Sequence, residues 1–127
     1  MALFLRAAVI VIGLLFVGIG TGFLLAPARL GAALGVTAEG ARGLSTLRGD
    51  FTAFFWVSGM ALAVGGWRRH AGMLLVAAAL VGIVLLGRTV SLLLDGSYPD
   101  AGQPMVIEAL ALALALAGAR HFAMDRA

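Results

Sequence analysis

Gly87-Arg88-Thr89-Val90-Ser91-Leu92-Leu93-Leu94-Asp95 closes a long apolar run that begins at Ala71. A single arginine sits inside that run. Everything on either side reads as membrane-spanning helix, so the guanidinium of Arg88 needs a partner or a route to water. Partners are on offer in Glu108 and in the Arg48–Asp50 pair, all at similar depth once the spans are laid out.

Composition makes lipid the solvent. Of 127 residues, 62% are hydrophobic and 12% charged, and the mean hydropathy is +1.08. A soluble domain averages roughly 45–50% apolar and about 25% charged. A soluble chain this apolar could not cover its own surface. The net charge of +3 owes its positive side to nine arginines, with no lysine anywhere. Those arginines flank apolar spans and form no stripe, which argues against a nucleic-acid partner. Without lysine there is no Schiff-base chemistry. Without cysteine there is no disulfide, thiolate nucleophile or thiolate metal site.

The length fits a single transmembrane domain over residues 1–127, with four helical spans at about 7–26, 45–67, 71–94 and 104–119. The first run is about 20 residues, roughly 30 Å of helix, which matches a bilayer core. A cleaved signal peptide is the alternative, but its apolar region usually runs only ~7–15 residues. Gly18 and Gly22 fall on one face of this span, a small-xxx-small contact. The long loop after Pro27 contains Ala28–Leu34, whose apolar spacing suits a short interfacial helix. Ser45-Thr46 offers an N-cap for the second span. Pro104 stands where the first turn of a helix tolerates it. Alternation at Ala109-Leu110-Ala111-Leu112 mimics a strand, but an open strand cannot satisfy its backbone in lipid. The expectation is an all-α, integral membrane four-helix bundle.

Orientation follows from the arginines. The N-terminus, the Trp67-Arg68-Arg69-His70 turn and the tail with Arg120 and Arg126 share one side of a four-span protein. The short basic turn weighs most, which makes both termini cytoplasmic. Arg88 then lies roughly 10 Å below its helix end, Glu108 about 6 Å and Arg48 about 5 Å below theirs, all on the outer side. Ser91 and Asp95 share the face of Arg88. The candidate cluster is therefore Arg48, Asp50, Arg88, Ser91, Asp95 and Glu108, ligand-binding or structural, with Phe51, Phe54, Phe55 and Trp56 as candidate pocket lining. Apolar walls with a few convergent polar groups are what a ligand site needs. An interhelical salt bridge that merely fixes the bundle explains the same residues, as does an aromatic stripe that faces lipid or core. His70 and His121 lie at span ends without a further ligand at metal spacing, so no metal or cofactor is expected. Ser45, Ser58 and Ser91 lack a histidine base on their side, and no catalytic residue is assigned.

Arg48, Gly59, Gly87-Arg88, Ser91-Leu92, Gly96, Pro99 and Glu108 together resemble an uncharacterised bacterial family of small four-helix membrane proteins. It is of the domain of unknown function 4345 type, in the DoxX-like neighbourhood. The resemblance covers about Leu44 to Ala119. Arg48-Gly49-Asp50 departs from the Arg-aromatic step of the family pattern. The resemblance implies the fold and the paired polar positions and brings no activity. The resulting expectation is a multi-pass, non-enzymatic protein of the bacterial inner membrane. It would be either a lipid- or lipophile-binding module or an accessory subunit of a larger membrane complex, with lipids and possible homo-oligomers as partners. The alternative is an isomerase-like enzyme in which Glu108 or Asp50 donates a proton to a lipophilic substrate. An ion pair with Arg88 would hold Glu108 as a carboxylate and argue against it.

Overall fold

The computed structural model describes residues 2–124, which leaves Arg126 outside it. Among the described residues there are helices and loops and no strand. Three helices are long and apolar enough to cross a membrane: α1 (Ala2–Leu25), α5 (Ala71–Leu94) and α6 (Gly102–Met124). Between α1 and α5 come α2 (Pro27–Ala33), α3 (Gly40–Thr46) and α4 (Thr52–Arg68). A π-helical turn at Leu47–Phe51 joins α3 to α4 without a break. Expected and observed bounds coincide for α5. Helix α1 starts five residues earlier than hydropathy alone places it, and α6 runs on to Met124 because Phe122 is buried and keeps the polar end docked.

Helix α1 packs against α4 and α6, and α5 packs against the same two. The α1–α4 contact is the closest. A Cβ placed on Gly13 would stand 2.6 Å from the Gly59 carbonyl oxygen, and one on Gly59 would stand 2.6 Å from that of Gly13. Backbone meets backbone here, so only glycine fits on either helix. Gly20 repeats the pattern one heptad on, where Trp56 lies across it. The expected Gly18–Gly22 face is corrected by this geometry. Nothing stands within 4 Å of a Cβ on Gly18, and Gly22 touches only the tip of Leu30.

Two arginines close the same helix pair. Arg6 Nε and Nη2 donate to the carbonyls of Gly66 (3.3 Å) and Trp67 (3.2 Å), at the end of α4. Arg48 Nε donates to the Leu24 carbonyl (2.9 Å), at the end of α1. The last carbonyls of a helix have no partner within it and carry its negative dipole end, so a guanidinium suits both places.

The core lies toward the end of the molecule that holds the α4–α5 turn. Val9, Leu62, Leu74, Ala77, Ala115 and Phe122 are essentially inaccessible there. At that turn Arg69 takes the left-handed conformation (φ 52°), and His70 Nδ1 accepts from the Met73 N–H at 3.2 Å, capping α5. A smaller cluster of Phe16, Val81 and Ala111 continues the core toward the middle. Beyond it, at the opposite end, the packing opens.

Candidate functional site

The open end is built on an ion pair. Arg88 projects from the last third of α5 and Glu108 from the second turn of α6. Arg88 Nε lies 2.9 Å from both carboxylate oxygens of Glu108. Each charge also sits toward the favourable end of its helix dipole. The glutamate side chain is 11% exposed and the arginine 28%. The carboxylate is thus the inner partner and the guanidinium the one that reaches outward. Because Nε serves Glu108, Nη1 and Nη2 remain, and no described residue hydrogen-bonds either of them.

Around that guanidinium three cavities meet. A cleft of about 380 Å³ is lined by Asp50, Phe51, Phe54, Phe55 and Val84 together with the ion pair. A second chamber of about 220 Å³ lies between Phe16, Ile19, Phe23, Leu30 and Ile107, again with Arg88 and Glu108 in its wall. A third, more polar groove of about 490 Å³ runs past Tyr98, Asp100 and Gln103. Arg88 borders all three, and so does Leu34.

Phenylalanine makes the wall rigid. Phe23 stacks on Phe51 (4.8 Å between centroids) and on Phe55 (5.8 Å), while Phe16 and Phe54 meet Phe55 edge-on. Pairs of this kind contribute about 0.5–1.5 kcal/mol each beyond burial. The roof comes from the loop after α2. That helix ends in a Schellman turn, in which Val36 N–H donates to the Gly31 carbonyl (2.8 Å) and Gly35 N–H to that of Ala32 (3.0 Å). Gly35 supplies the positive φ of 75° that the turn requires. The turn folds Leu34 and Val36 over the cleft.

The candidate cluster divides. Arg88 and Glu108 pair, and Asp50 lines the same cleft with Phe51, Phe54 and Phe55. Arg48 does not join them and does not pair with Asp50. Two residues apart on a helix, the two side chains leave opposite sides, and Arg48 turns to the end of α1. Ser91 and Asp95 bond each other along α5 (2.6 Å), exposed, and border none of the three cavities. Trp56 also departs from expectation. It lies over Gly20 and donates from Nε1 to Thr21 Oγ1 (3.2 Å), so it belongs to the α1–α4 contact.

Residues that hydropathy and charge do not flag complete the site. Leu34 and Val36 owe their place to the Gly35 turn, and the one sequence signal for it is a glycine just past a short apolar helix. Phe16 and Phe23 are a heptad apart on α1 and face the phenylalanines of α4, a spacing visible in the sequence once the partner helix is known. The π-turn that presents Asp50 and Phe51 leaves no sequence signal. Turns of this type recur at functional sites.

Residues 4–120 match the family model described as Domain of unknown function (DUF4345). No curated protein and no solved structure is significantly similar.

Proposed function

The chain belongs to the DUF4345 family, and from that premise we propose that it is a small, non-enzymatic membrane module that holds a lipophilic molecule beside Arg88. One observation carries the reading: a guanidinium with two unspent nitrogens stands where a phenylalanine-walled cleft and an apolar chamber meet. Largely apolar walls with one fixed polar group are the ordinary make-up of a site for an amphiphile. In this reading α4 is the fourth span. Its 17 residues make roughly 26 Å of helix, extended by the π-turn and α3. The termini and the Arg68–Arg69 turn then face the cytoplasm of a bacterial cell, with the cleft opening on the other side of the membrane. Lipids are the expected partners. A role as accessory subunit would use the same cleft or the lipid-facing helix surfaces.

Acid–base catalysis draws less support. Both oxygens of Glu108 are taken up by Arg88, and Asp50 lies at the exposed rim.

Gentle purification followed by native mass spectrometry tests the proposal. The wild-type protein is expected to carry a bound small lipophile, and Val84→Trp, which fills the cleft, and Arg88→Leu are expected to lose it. A bare wild-type monomer, or a mass retained unchanged in both variants, rejects it.

A further inference from the structure

The groups around Arg88 also select the head of the molecule they would hold. This step rests on the lipophile-binding reading above. We infer that the head is an uncharged hydrogen-bond acceptor, such as a ketone, aldehyde, ester or amide carbonyl, rather than an anion or an ammonium.

The inference starts from the atoms left over. Nε of Arg88 is committed to Glu108, and the guanidinium has no acceptor of its own to offer. Arg88 borders the cavities, and the donors it has left are the N–H groups of Nη1 and Nη2, which an acceptor must satisfy. A head that only donates, such as an ammonium, leaves those N–H donors unmet, and the other carboxylate of the cleft, Asp50, lies out at the exposed rim.

Charge then removes the anions. The cleft holds Asp50 and Glu108, and the adjoining groove holds Asp100, against the single guanidinium. Arg48, whose charge could have tipped that balance, has its side chain turned to the end of α1. Arg42 borders a separate groove with Glu39, and Arg29 borders none of the cavities. An incoming anion would have to compete with Glu108 for the one guanidinium, with Asp50 in the same cleft and Asp100 in the adjoining groove adding to the opposition. A carbonyl oxygen accepts from Nη1 or Nη2 without that opposition. The tail has its own place. The chamber between Phe16, Ile19, Phe23, Leu30 and Ile107 opens on the same guanidinium and has almost no polar lining.

Three probes of equal chain length separate the classes: 2-decanone, decanoate and decylammonium. Each is titrated at pH 8.5 into the full chain in phosphatidylcholine nanodiscs, with binding followed by saturation-transfer NMR. Partition into lipid is subtracted with Val84→Trp, the blocked variant. The ketone is expected to bind at least ten times more tightly than either charged probe. Removing one carboxylate should shift that ratio. Glu108→Gln is expected to narrow the ketone-to-decanoate ratio most. Asp50→Asn, which leaves the ion pair and the fold in place, is expected to narrow it several-fold. A role of these carboxylates in packing alone would leave the ratio unmoved. Decanoate or decylammonium binding as tightly as the ketone overturns the inference and leaves the lipophile site standing, as does a ratio unchanged by Asp50→Asn. If none of the three binds above the blocked variant, the site reading and this inference fall together.

Discussion

The two ends of this molecule are built by opposite rules. At the end with the α4–α5 turn, small residues let helices touch. Gly118 admits Leu74, Gly66 admits Val9, and a Cβ at either position would stand 2.8 Å or less from its neighbour. At the other end, five phenylalanines stand against one another and leave space between themselves and α5 and α6. One end has a solid core. The other is hollow, with its only described ion pair between α5 and α6. In lipid, apolar burial drives helix association weakly, so close backbone approach has to hold the solid end. The hollow end is held at fewer points and is free to receive something.

That contrast can be broken experimentally. The largest effect is expected for Gly59→Val, whose side chain would enter the backbone of α1 with no flexible neighbour to yield. Overpacking commonly costs about 1–3 kcal/mol, and here the loss should reach or exceed about 3 kcal/mol in unfolding from micelles by denaturing detergent. An unshifted midpoint would mean that close backbone approach is not what holds the bundle. Next in size is the ion pair. Arg88→Leu strands a buried carboxylate and is expected to cost about 3 kcal/mol, the lower part of the range for a buried pair because the guanidinium is partly exposed. Arg88→Leu combined with Glu108→Leu should recover most of that loss, to within about 1 kcal/mol of wild type. If the double variant is as weak as the single one, the pair positions the helices in a way leucines cannot replace. The smallest effect belongs to Gly18→Ala. With open space around the position, the better helix former should raise stability by up to about 1 kcal/mol. A loss there would reveal a contact on that face from a second molecule.

Much of this was legible before any coordinates. Hydropathy places α1, α5 and α6, and counting residues from helix ends brings Arg88 and Glu108 to one depth, which suffices to pair them. Depth says nothing about azimuth. That is why Arg48, Asp50, Ser91 and Asp95 looked like one cluster and are three separate arrangements. Spacing of glycines likewise proposes faces without choosing among them. Gly13 and Gly20 touch α4, whereas Gly18 has open space beside it. Trp56 shows the same limit, since one position after Phe55 its ring already belongs to another helix face. The loop over the cleft was beyond reach, because Leu34 and Val36 depend on a backbone turn and not on their own hydrophobicity.

The arginine clasps on α1 and α4 carry one more consequence. Walking along α1 from Arg6 through Gly13 and Gly20 to Leu24, the partners on α4 and the π-turn before it are Gly66, Gly59, Thr52 and Arg48, each step matched by an equal step backward. The pair therefore works as a ruler with both ends fastened. A residue inserted or removed between 7 and 23, or between 49 and 65, leaves at least one clasp without its carbonyl and puts bulk where a glycine was needed. The segments 37–39 and 96–100 are under no such constraint and can change in length. Length variation within this fold should accordingly gather in those two loops and be missing from the two fastened helices.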